Sequence, residues 1–79
     1  MRKRKKIRRS KNEERAARAK ECLICFRSEH PDYRGTDEPD EAALIDLFTD
    51  LMHLAKSMGQ EPASLVRTAA NHYEEEIVA

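Results

Sequence analysis

Three residues, Gly59-Gln60-Glu61, constrain this chain more than any others. They separate two stretches of helical periodicity, EPDEAALIDLFTDLMHLAKSM and PASLVRTAANHYEEEIV. In the first, Leu44, Leu47, Phe48, Leu51, Ala55 and Met58 recur at the i, i+3, i+4, i+7 spacing of a helix face. In the second, Leu65, Val66, Ala69, Ala70, Tyr73 and Ile77 share one side. Gly59 is the expected left-handed stop of the first helix. Pro62 restarts the chain as a first-turn proline. A linker this short allows only an antiparallel or steeply crossed pair. The first helix has its own start signal in Glu38-Pro39-Asp40-Glu41, a first-turn proline with carboxylates at the positive end of the helix dipole.

The two faces differ in width. At about 100° per residue, Ala43 and Leu54 extend the first stripe on one side and Ile45 and Met52 on the other. The arc is then roughly 200°, twice the ~100° of a helix covered on one side. One partner helix does not cover it. An N-terminal helix and a second subunit are both expected to pack on it.

Upstream, Ser10-Lys11-Asn12-Glu13 matches a capping box and predicts a helix over 11–29. Its stripe is Ala16, Ala19, Cys22, Leu23 and Phe26, thin at the start and richer toward the end. Cys22 to Phe26 is expected to dock on the hairpin, with the first turns projecting into solvent. Residues 30–38 form a loop, broken by Pro31 and turned at Gly35. No run of β-branched residues reads as a strand. The fold class is therefore all-α: a basic arm (1–10), a helix (11–29), a loop (30–38) and an antiparallel helical hairpin (39–78), assembled as an oligomer. Seventy-nine residues make one small domain, which buries only about 60% of its surface and is marginal alone.

The formal net charge of zero conceals a division. Residues 1–20 hold eleven Lys/Arg against Glu13 and Glu14, a net +9. Residues 21–79 hold four against thirteen Asp/Glu, a net −9. The arm packs Arg2, Lys3, Arg4, Lys5, Lys6, Arg8 and Arg9 around a single Ile. Like charges this dense repel, so the segment is expected to be disordered when free. Clustered cations neutralise phosphates without regard to sequence, which points to DNA or RNA. No aromatic residue is interleaved, so base stacking is not suggested. The competing reading is a solubilising tail, or one that pairs with an acidic surface, the protein's own included. Glu74-Glu75-Glu76 sit at the unfavourable end of a helix dipole. A basic partner, in a second subunit or another protein, would relieve them.

The chemistry-bearing motifs are weaker. Cys22-Leu-Ile-Cys25 has zinc spacing, but tetrahedral zinc needs two further ligands, and His30, His53 and His72 fall in no recognised spacing. A redox pair wants its first cysteine at a helix N-terminus, and this one sits late in a helix. Cys22 reads better as a small core residue and Cys25 as a boundary residue. Asp50-Leu-Met-His53 and His72-Tyr-Glu-Glu75 have the spacing of di-iron ligands in bundles, yet the wheel puts His53 on the wet face. His72 lies at the edge of the apolar stripe, with Tyr73 at its centre. No phosphate loop, nucleophile elbow or Ser-His-Asp set can be assembled. The expectation is therefore a non-enzyme with no cofactor and no metal. No apolar stretch follows the basic start as a signal peptide requires, no membrane span is present, and two cysteines are too few for a secreted disulfide framework. A cytoplasmic protein with reduced thiols is expected.

The pattern Asp46-Leu-Phe-Thr-Asp-Leu-Met-His-Leu-Ala, then Gly59, then Ala69-Ala-Asn-His-Tyr-Glu-Glu-Glu76 resembles a group of small, uncharacterised bacterial helical-hairpin proteins carried on plasmids, phages and integrated elements. The resemblance covers the hairpin half only and singles out Asp50, His53, Gly59, His72, Tyr73 and Glu76. It implies a helical hairpin and a mobile-element origin, and no activity. The functional expectation is a binding protein. Its hairpin oligomerises through Leu44, Leu47, Phe48, Leu51, His72 and Tyr73, and its arm contacts nucleic acid. The alternative is an accessory or antagonist factor whose acidic hairpin surface docks on another protein.

Overall fold

The protein is described here by a computed structural model covering residues 10–78. The expectations for residues 1–9 lie outside the described residues. Within them all regular structure is helical and there is no strand: α1 (Lys11–Glu29), α2 (Asp40–Ser57) and α3 (Pro62–Ile77).

The helix ends follow from local chemistry. The Ser10 hydroxyl accepts the Glu13 amide at 3.1 Å, and the Glu13 carboxylate accepts the Ser10 amide at 2.8 Å, so both halves of the capping box are formed. α2 begins one residue later than expected. Pro39 stands at the cap position in extended conformation, with no side-chain cap, and its carbonyl accepts the Ala43 amide. α2 ends on a Schellman turn: Gln60 donates to the Ala55 carbonyl and Gly59 to that of Lys56, with Gly59 at φ +80°. The Glu61 carboxylate caps α3 through the Ala63 amide, and Pro62 occupies the first turn.

The core is small and is built at one corner. Leu23, Tyr33 and Ala43 are buried, with Phe26, Ala42 and Leu47 packed around them. Ala43 is fully covered, and its short side chain lets α1 and the loop approach α2 closely. Ala55 is the only other buried residue among those described. The docking segment of α1 is thus the expected one, although Leu23 and Phe26 carry it and Cys22 does not. Both cysteines are exposed.

Tyr33 is the residue that the loop exists to place. Its ring lies 5.0 Å from that of His30, edge to face, and 6.2 Å from that of Phe26, tilted. The Arg27 guanidinium sits over its face at 5.5 Å, a cation–π distance. Its hydroxyl donates to Asp46 of α2 at 2.5 Å. That bond, followed by burial and the charges of Asp46, Glu38 and Asp32, pushes the phenol up to about 12. A second tie runs alongside. Asp40, at the start of α2, receives Lys20 at 3.1 Å and Arg27 at 3.4 Å, both from α1. The Lys20 hydrogen bond and charge, with help from Arg27, hold the Asp40 carboxyl below its usual range. The Arg27 contact is an ion pair without hydrogen-bond alignment, since that nitrogen has no bonded partner.

The first turn of α1 does not stand free, as sequence suggested. The Asn12 side chain donates to the Glu76 carbonyl at 3.0 Å, and Arg15 approaches the Glu76 carboxylate at 3.6 Å. Asn12 satisfies one of the carbonyls that the last turn of α3 leaves open.

Two predictions follow from this corner. Leu23→Ala should lower unfolding stability by about 2–3 kcal/mol, while Ile24→Ala, one position round on the exposed side, should stay within about 0.5 kcal/mol; urea denaturation compares them. The raised Tyr33 proton affinity means its contribution is fully present below pH 10 and is lost as pH rises toward about 12. The urea midpoint of the native chain should therefore fall more steeply over that interval than that of Tyr33→Phe.

Candidate functional site

The wide stripe of α2 is shared between two neighbours, and its middle is left open. α1 and the loop take the flank bearing Ala43 and Leu47. α3 approaches the opposite flank near the turn, where Ala55 is buried. Between them the side chains of Leu44, Leu51, Leu54 and Met58 remain exposed. An apolar groove of about 660 Å³ runs along the junction, with Phe48, Leu51 and Met58 on one wall and Pro62, Leu65, Val66 and Ala69 on the other. α3 has no buried residue at all, although its apolar residues lie on one side. Phe48 and Tyr73 are each 60% exposed, so two of the chain's four Phe and Tyr side chains are left uncovered by its own helices.

The residues assigned to the interface fall into three situations. Leu44, Phe48 and Leu51 are exposed on the open face. Leu47 is half-buried against the chain's own core. Tyr73 and His72 are exposed on α3, and His72 makes no side-chain hydrogen bond or ion pair among the described residues.

Charge is laid out at the ends. Lys11, Arg15, Arg18 and Lys20 are exposed along α1, in line with the basic block that precedes it in sequence. Arg15 and Lys20 are engaged by Glu76 and Asp40, while Lys11 and Arg18 have no ion-pair partner among the described residues. Arg2, Lys3, Arg4, Lys5, Lys6, Arg8 and Arg9 lie outside those residues. The basic partner expected for the glutamate run is in part Arg15 of the same chain, which takes Glu76. Glu74 and Glu75 are exposed without one among the described residues.

The chemistry-bearing motifs are not assembled into a centre. Cys22 and Cys25 are free and exposed on α1. Asp50, His53 and His72 are all exposed. Among the described residues no three His, Cys, Asp or Glu side chains are grouped so as to hold a metal ion, and no helix is long and apolar enough to cross a membrane.

The sequence reading missed Tyr33 and Arg27. Tyr33 carried a signal, being the one aromatic residue of the loop, set between Pro31 and Gly35 where the chain can turn it inward. Arg27 carried none, because its role depends on where Tyr33 and Asp40 arrive. Asn12 was likewise silent, since its partner lies 64 residues away.

Comparisons with protein-family models, with curated proteins and with solved structures find no match to this chain.

The exposure of the two thiols makes a direct prediction. Both should react with Ellman's reagent in the native protein, and denaturant should release no further thiol.

Proposed function

We propose that this chain is a small, non-enzymatic helical binding protein of the cytoplasm. α2 and α3 form an antiparallel hairpin through which copies associate, and the basic N-terminal arm contacts DNA or RNA. The observation that carries this reading is the open apolar face of α2 and α3. It includes Leu44, Phe48, Leu51, Leu65 and Tyr73, all 40–60% exposed. Four buried residues among those described, two of them alanine, are a slender core, and a domain of this size is stable alone only by a small margin. Association removes that face from water, where each Å² of apolar surface buried is worth about 25 cal/mol.

The arm supplies the second half. Seven cations within nine residues continue into an α1 that displays Lys11 and Arg18 without ion-pair partners. Linking several arms through the hairpins raises affinity by effective concentration. In a second reading, a mobile-element accessory or antagonist factor docks on a basic protein through its acidic hairpin surface. The exposed, unpaired Glu74 and Glu75 favour it.

One experiment separates the two. Full-length protein and residues 10–79 are titrated against labelled duplex DNA and RNA at two salt concentrations. The proposal expects binding that disappears on truncation. Neutralising six or more phosphates would weaken full-length binding by about 10³-fold or more between 50 and 200 mM salt. Binding that survives truncation, or none at low salt, removes the arm's role. A protein partner lost on charge reversal at Glu74 and Glu75 would then establish the second reading.

A further inference from the structure

We propose that the occupant of the uncovered α3 face is α3 of a second copy, packed antiparallel to the first; this rests on the self-association just proposed and specifies its geometry.

Val66, Ala70, Tyr73 and Ile77 recur at intervals of four, three and four, the seam of a coiled coil, with Val66 and Tyr73 at d and Ala70 and Ile77 at a. The opposite edge of the stripe, Leu65 and Ala69, faces α2 across the groove. Val66, at the end of the seam near the turn, also lines that groove, but the seam is left largely uncovered: Val66 is 51% exposed, Tyr73 60% and Ile77 49%. α3 thus has one apolar edge turned toward α2 and a second whose Ala70, Tyr73 and Ile77 line no part of that groove.

Side-chain size and charge select the direction and the register. In an antiparallel pair each a position faces a d position of the other helix. Centring α3 on its own copy sets Ala70 against Tyr73 and Val66 against Ile77. The smallest seam residue then receives the largest, which is how facing positions interdigitate without voids. The e positions flanking the seam are Arg67 and Glu74. Antiparallel packing brings e edges together, so the same register sets Arg67 of each copy beside Glu74 of the other, giving two equivalent ion pairs. A parallel pair would instead put e edges against g edges, which hold Ala69 and Glu76. That leaves Arg67 without a carboxylate at its level. Within the chain neither Arg67 nor Glu74 has an ion-pair partner among the described residues, and both are exposed. Arg67 is the only basic residue of α3, and it stands two turns from Glu74 on the same edge. The charge complementarity is therefore one that α3 satisfies with a copy of itself.

The test uses the full-length chain and sedimentation velocity across a concentration series. Native protein should sediment as a dimer. R67E sets carboxylate against carboxylate at both symmetric sites, and E74R sets guanidinium against guanidinium. Each single variant should weaken the dimer by about tenfold or more, from two exposed pairs turned repulsive, with unchanged helical circular dichroism. An equimolar mixture of the two variants restores both pairs in a heterodimer, and the doubly reversed R67E/E74R chain restores them in a homodimer. Both should sediment as native protein does. A native dimer that ignores the single reversals, or that neither the mixture nor the double reversal recovers, overturns the α3 pairing and leaves self-association standing. A native chain that stays monomeric throughout overturns both. Raised salt gives an independent readout, because it should narrow the gap between native and singly reversed chains.

Discussion

The position of α1 on α2 depends on the side chain of Tyr33. Its ring fills the space between Leu23 and Ala43, its face carries Arg27, and its hydroxyl is tied to Asp46. The loop hydrogen bonds serve this placement. His30 accepts both Tyr33 and Arg34 amides, Thr36 returns to the Tyr33 carbonyl, and Gly35 takes φ +71° to make the turn. The Asp32 amide donates to His30 Nδ1, which fixes the imidazole edge against the Tyr33 ring. A residue in a connecting segment thereby fixes the angle at which two helices meet.

The remaining ties are polar and lie near the surface. Asp40 collects Lys20 and Arg27, and Glu76 collects Asn12 and Arg15. Exposed pairs of this kind contribute little to stability, so their work is orientation. They join α1 to the start of α2 and to the end of α3. The apolar junction of α2 and α3 carries no such tie. The cationic end of α1 thus meets the acidic end of α3 within one chain. The division into a +9 segment and a −9 segment is partly neutralised before any partner arrives.

This arrangement separates two jobs. The flank of α2 that bears Ala43 and Leu47 builds the chain's own core, and the middle of its arc, with the outer edge of α3, is left exposed; under the proposed function that face takes up association. Under the proposed function, a partner on the open face adds apolar burial and leaves the Tyr33 corner and its ties intact. Lys11 and Arg18 stay exposed on α1 without ion-pair partners among the described residues.

Helix type, number and ends were legible in the sequence because they depend on neighbours a few residues apart. The Ser10 capping box, the Gly59 stop and the Pro62 restart are short-range chemistry, and the structure shows each of them. Pro39 missed by one position, since a proline serves equally before the first turn and within it. The width of the α2 stripe also showed from sequence that one partner helix could not cover it. Which helix takes which flank was a tertiary decision. Ala43, unremarkable in sequence, is fully covered because Tyr33 and Leu23 converge on it. Cys22, a plausible core residue by spacing, is exposed because Leu23 on the adjacent side of α1 faces α2 instead. Arg27 and Asn12 acquired partners only when segments distant in the chain met. The sequence determined the helices through local hydrogen bonding and periodicity. Only the tertiary structure decided where they meet, because that depends on packing volume and on contacts with no short-range signature.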